Sequence, residues 1–255
     1  LRRFLAPCLV AYALFCLPGV AVQAGVTAVT TLLPEISANA ALLALTVTIP
    51  LAILATLLAG LAEAVCAGAV LTGFKGGSVT AGSALAGLRG RWWRLTGLIF
   101  LKNLLIGLGA LLCIVPGVIL AINYAVAVPA AVAEDLPIVA SLRRSRGLVE
   151  ESKGKTFGLL VLLWLFQLIF SWTLLAAVYG AAAFASGRFS PFFIGAANVA
   201  GWGQVVIEAA TRLLVPLGGL LWAYYYVDLR ARREAFDLTA EVDGLPATSG
   251  IDLPQ

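Results

Sequence analysis

The chain has 255 residues, 61% of them hydrophobic and only 12% charged, with a mean hydropathy of +1.00. Soluble domains keep roughly a quarter of their residues charged, so an ordinary soluble protein is excluded, and with about 20 apolar residues needed per membrane crossing the length holds about six spans and no separate catalytic domain of usual size. The net charge of +4 comes from cations at the ends of apolar runs, which carries topology information and gives no sign of nucleic-acid binding.

The patterning predicts an all-α, polytopic integral membrane protein. A membrane domain covers 1–237, with spans near 5–33, 40–72, 95–115, 118–133, 157–185 and 205–227, and a disordered cytoplasmic tail covers 238–255. The first run starts after Arg2 and Arg3 and is broken by Pro18-Gly19. Its length favours a span, with a secretory signal peptide over residues 1–24 as the alternative. After a turn at Pro34, Glu35 and Asn39, the second run contains Pro50 and is long enough to require tilt or a kink. Within it Gly60, Ala64 and Gly68 recur every four residues, a stripe that lets another helix backbone approach closely.

Gly76-Gly77 breaks that helix. Over 78–94 the residues Ala81, Ala84, Leu85, Leu88 and Trp92 fall on one side and Arg89, Arg91 and Arg94 on the flanks, the pattern of an amphipathic helix in the headgroup plane. The third span is turned by Pro116-Gly117, a pair suited to a type II turn because Gly supplies the positive φ. The fourth carries Pro129 near its end and stops at Glu134-Asp135. A second interfacial helix is expected over 136–152, capped by Asp135 with Pro137 in its first turn. Its stripe is Ile138, Val139, Leu142 and Val149, with Arg143, Arg144, Arg146, Glu150 and Glu151 away from it. Ser83-Ala84-Leu85 with Arg89 and Ala140-Ser141-Leu142 with Arg146 keep the same spacing, a hint of an internal repeat. The last span exits through Tyr224, Tyr225 and Tyr226 to Arg230, Arg232 and Arg233.

Placing both termini inside puts Arg2, Arg3, Lys75, the arginines of both interfacial helices, Lys153, Lys155 and the three C-terminal arginines on the cytoplasmic side and leaves Arg188 outside. That distribution sets the orientation by the positive-inside rule. Arginine far outnumbers lysine, and Ala and Gly are abundant, which suits a GC-rich bacterial source and the bacterial cytoplasmic membrane.

Charges inside a membrane are functional candidates, and four qualify: Glu63, Lys102, Glu208 and Arg212. They line a polar cavity or proton path on one reading and form two structural ion pairs on the other. Asn103, Asn123, Gln167 and Gln204 are expected to hydrogen-bond between helices. The cysteines Cys8, Cys16, Cys66 and Cys113 lie in apolar runs without C-x-x-C spacing and read as small buried hydrophobes. The chain has no His, no Walker loop, no nucleophile elbow and no zinc ligand set, so a non-enzymatic protein without cofactor or metal is expected. Basic residues near an anionic leaflet contribute about 1 kcal/mol each. Arg89, Arg91, Arg94, Arg143, Arg144 and Arg146 are therefore the candidate contacts for lipid headgroups or a membrane partner, with a homo-oligomer as a further possibility.

Three motifs, Val115 to Leu120 with its Pro116-Gly117, Val128-Pro129 with Glu134, and Ser141-Leu142-Arg143-Arg144-Ser145 followed by Leu148, resemble the signature of bacterial membrane proteins grouped with the membrane domain of glycerophosphoryl diester phosphodiesterase. The ending Tyr225-Tyr226-Val227-Asp228-Leu229-Arg230 is similar to the close of those proteins. The resemblance implies a six-helix membrane architecture. Some members are fused to a soluble phosphodiesterase that works with His and carboxylates on a metal. This chain has neither His nor that domain, so the resemblance carries no catalysis here, though it admits a role as accessory subunit of a phosphodiester-lipid enzyme.

Overall fold

The computed structural model describes the backbone of residues 2–32, 40–74, 79–86, 88–186 and 197–244. The expected turn at Pro34, Glu35 and Asn39, the break at Lys75 to Gly77, the Arg188 loop and residues 245–255 lie outside them, as do the side chains of Arg2, Arg3 and Gln204.

Every regular element among the described residues is a helix. In chain order these are α1 (Arg2–Ala11), a π-helical turn (Tyr12–Cys16), α2 (Leu17–Leu32), α3 (Ala40–Phe74), α4 (Ala81–Ala86), α5 (Trp92–Leu112), α6 (Ile114–Asn123) and α7 (Ala127–Glu134). Then come α8 (Ile138–Val149), a 3₁₀ turn (Glu150–Ser152), α9 (Lys153–Ser186), α10 (Ala197–Arg212) and α11 (Leu214–Gly244). Among the described residues five stretches are long and apolar enough to cross a membrane: Ile49–Phe74, Trp92–Leu112, Ile114–Glu134, Ile138–Ala181 and Val205–Arg233, with a shorter apolar helix at Ala6–Ala21.

At three places a proline decides where a helix stops, whereas α1 and α3 run on through Pro7 and Pro50. A proline ring clashes with the carbonyl four residues earlier and has no N–H to offer it. Pro116, Pro129 and Pro216 each stand third in a new helix, and breaks at Cys113, at Tyr124 to Val126 and at Leu213 precede them. The expected turn at Pro116-Gly117 is thereby corrected. The chain reverses at Cys113, whose backbone is extended (φ −169°, ψ 149°), and both Pro116 and Gly117 are helical. Gly117 serves close approach: a Cβ there would stand 2.7 Å from Ala110 Cα, so the α5–α6 hairpin packs backbone to backbone. The fourth and sixth spans, expected as unbroken helices, are broken for the same reason. At Pro18 the chain takes another route. The π-helical turn just upstream bonds the Leu17 N–H to the Tyr12 carbonyl, and the helix continues.

The expected interfacial helix over 78–94 is also corrected. Thr80 and Ser83 bond each other's backbone N–H groups with their hydroxyls, both at 3.1 Å, opening α4. The helix ends at Ala86, Gly90 turns with φ +81°, and Trp92 to Arg94 belong to α5. At the other end, α11 continues to Gly244, into the stretch read as a disordered tail.

The core is organised on α3, which packs against α1, α5, α7 and α11. From Leu61 to Val70 its apolar residues are buried, the alanines almost completely. The small-residue stripe makes real contacts here. Gly60 faces Ile99 of α5, and Gly68 faces the Ala84 carbonyl oxygen and Val132. From the other side, a Cβ on Gly219 of α11 would stand 2.9 Å from Glu63 Cα. By contrast α9 shows its outer face, with Leu162, Trp164, Phe166, Ile169 and Trp172 exposed. Lipid chains solvate such a surface as well as protein does, which is why membrane helices need not bury it.

Candidate functional site

The four intramembrane charges fall into two ion pairs. Lys102 Nζ on α5 stands 3.7 Å from Glu63 Oε2 on α3, with the side chains 14% and 15% exposed. On α10, Arg212 donates from Nε to Glu208 Oε1 at 3.1 Å, and its Nη2 bonds the same oxygen. Arg212 is the last residue of α10 and its guanidinium lies against Gly19 of α2. Among the described residues no hydrogen bond joins the two pairs. The Tyr12 hydroxyl donates to the Ala209 carbonyl at 3.0 Å, tying the π-helical turn to α10.

A denser polar cluster forms at the arginine-rich end of the bundle, around two acids whose sequence pattern signals only a helix stop. Glu134, the last residue of α7, accepts from Arg144 Nε at 2.9 and 3.1 Å and from the Tyr226 hydroxyl at 2.7 Å. It thus joins α7, α8 and α11. Asp135 follows in the left-handed region (φ 54°, ψ 37°), a conformation its short side chain tolerates. Its carboxylate takes Arg91 at 3.0 Å and also Arg94, so α5 is tied to the same point. The expected capping of α8 by Asp135 is corrected: Asp135 terminates α7, and Pro137 occupies the N-cap position of α8.

The apolar stripe of α8 docks on protein. Ser141, Leu142, Ser145, Leu148 and Val149 are buried, while Val139 is exposed. The Ser145 hydroxyl donates to the Asn123 carbonyl at 2.8 Å, capping the broken end of α6. The Asn123 side chain does not act as the expected interhelical glue: its Oδ1 is buried and has no partner among the described residues. Nearby, Thr156 Oγ1 and the Tyr225 hydroxyl are 2.8 Å apart, and Arg233 bonds Glu151 at 3.1 Å.

The six arginines named as headgroup contacts therefore divide. Arg91, Arg94 and Arg144 are held by Asp135 and Glu134. Arg89, Arg143 and Arg146 are exposed and make no ion pair among the described residues, and Trp93 of α5 is 90% exposed. The cluster residues Glu134, Arg144, Ser145 and Tyr226 all lie in the motifs that carry the family resemblance. Their chain separation, with Tyr226 92 residues from Glu134, hides their meeting from any reading of the sequence.

No group of three or more acidic, cysteine or histidine side chains suited to a metal is found among the described residues. Cys8 and Cys66 stand with their sulfurs 3.7 Å apart, and both are buried with Cys16, whereas Cys113 is exposed at the α5–α6 turn rather than buried as expected. Comparison of the chain with profiles of protein families, with curated proteins and with solved structures finds no match in any of the three.

Proposed function

We propose that this is a non-enzymatic, six-span protein of the bacterial cytoplasmic membrane with both termini cytoplasmic, related to the membrane domain of glycerophosphoryl diester phosphodiesterase, and that it binds anionic lipid headgroups through α8, the 88–91 turn and the start of α5. The observation that carries this reading is the division of the arginines. Arg91 and Arg94 share Asp135 and Arg144 pairs with Glu134, whereas Arg89, Arg143 and Arg146 are exposed with no ion pair among the described residues, and Trp93 is exposed at the start of α5. Tryptophan at the headgroup level and unpaired arginine are the two ingredients of an interfacial anchor. The Ala6–Ala21 helix with its flanks supplies the sixth span, and the arginine-rich end lies inside by the positive-inside rule. The Glu134–Asp135 cluster holds α8 against the bundle, so the free arginines are displayed from a rigid element.

The test is a lipid titration of the full chain in detergent, with phosphatidylglycerol against phosphatidylcholine. At about 1 kcal/mol per basic residue, Arg143→Ala/Arg146→Ala should weaken phosphatidylglycerol binding about thirtyfold and leave phosphatidylcholine unchanged. Equal affinities in the variant and the wild type would reject the proposal.

A further inference from the structure

A cleft of about 730 Å³ lies between α9 and the α10–α11 junction. Its walls are apolar, Leu163, Trp164 and Leu217 among them, except for Gln167, Thr211 and Arg212. A largely apolar cleft of this size with a few convergent polar groups has the form of a small-molecule site.

Three observations define what would fill it. The first is depth. The Thr156–Tyr225 contact ties α9 to α11 at one height. At 1.5 Å per residue, Gln167 lies about 17 Å along α9 from that contact and Arg212 about 20 Å back along α11 and α10. The polar groups thus share a level well inside a hydrocarbon core of roughly 30 Å, too deep for a phosphate headgroup. The second is charge. Arg212 is neutralised by Glu208, so the cleft has no net charge to attract an anion. The third is unused hydrogen-bonding capacity. Gln167 has no partner among the described residues, and Arg212 keeps N–H groups beyond those given to Glu208. On the α9 side the cleft is lined by Leu162, Trp164 and Phe166, which are exposed, so a lipid-soluble ligand would enter from the side.

We infer that this cleft binds an uncharged long-chain amphiphile whose carbonyl head accepts hydrogen bonds from Gln167 and Arg212, with its hydrocarbon tail along the apolar walls. Acylglycerols and prenyl quinones both carry this chemistry. The site is separate from the arginine surface proposed above and does not depend on it.

The full chain is reconstituted in phosphatidylcholine nanodiscs with a photoreactive diacylglycerol in one arm and a photoreactive prenyl quinone in the other, and adducts are mapped by mass spectrometry. One probe or both should label α9 and the start of α11; labelling in one arm alone identifies the source, and labelling in both shows that the site takes either head. Gly218 lines the cleft, and a Cβ at that position would meet nothing within 4 Å, so Gly218→Phe leaves the helix backbone unclashed at its Cβ, brings a ring into the site and should abolish labelling. Gly158 is equally open but does not line the cleft, so Gly158→Phe should label as wild type does. Gln167→Leu removes one neutral hydrogen bond and should weaken probe binding about fivefold to tenfold. Absence of adducts in both arms, or undiminished labelling in Gly218→Phe, would overturn the inference. So would displacement of the probes by phosphatidylglycerol, because the site would then take an anionic head.

Discussion

Replacing Glu134 with Ala tests whether the arginine-end cluster holds the helices together. Two interactions are lost. The Tyr226 side chain is fully buried and its O–H donor loses its acceptor at 2.7 Å while the contact with Arg230 remains, and an unsatisfied buried donor costs about 1–3 kcal/mol. The Arg144 Nε–H is shared between both Glu134 oxygens, and the arginine is 37% exposed, so solvent screening limits the pair to below about 1 kcal/mol. The expected loss is about 2–3 kcal/mol, most of it on the tyrosine side. Reversible unfolding in mixed micelles, followed by circular dichroism, measures it. A double-mutant cycle apportions it: Glu134→Ala with Tyr226→Phe should couple by about 1–2 kcal/mol, and Glu134→Ala with Arg144→Ala by less than about 1 kcal/mol. A destabilisation under about 0.5 kcal/mol, the level of an ordinary surface change, would refute the reasoning. A coupling to Arg144 larger than that to Tyr226 would refute the assignment of weight.

On the α5–α6 hairpin, Gly117→Ala forces a Cβ against the Ala110 backbone at 2.7 to 2.8 Å and should cost about 1–3 kcal/mol. Gly107→Ala, with nothing within 4 Å, should be neutral or stabilising by up to about 1 kcal/mol, and the same unfolding assay separates the two. Glu63→Ala leaves Lys102, 14% exposed, without its counter-ion and should destabilise by about 3 kcal/mol. Glu63→Leu/Lys102→Met should recover most of that loss, because breaking a buried pair costs more than replacing it with apolar residues. Among the four cysteines Cys113 alone is exposed, so a membrane-impermeant maleimide added to intact cells should label it from outside and spare the others. Labelling only after permeabilisation would invert the proposed topology.

Membrane character and helical class are legible in composition alone, since nothing but helices can keep such apolar runs with their backbones satisfied in lipid. The prolines are legible too, but the breaks they cause do not fall where they stand. Pro116, Pro129 and Pro216 act on the carbonyl four residues upstream, so the breaks fall at Cys113, Tyr124 to Val126 and Leu213. The Glu208–Arg212 pair can be found from spacing because one helical turn makes residues four apart neighbours. The Glu134, Arg144 and Tyr226 meeting cannot, because it joins three helices whose relative rotation depends on how α3 packs its small residues against α5, α7 and α11. The same holds for the arginines. Pattern places all six on polar flanks, but only tertiary packing decides which guanidinium finds a carboxylate and which keeps its charge exposed. Local chemistry in a sequence sets helix type, length and ends, whereas pairing between distant side chains is a property of the packed bundle.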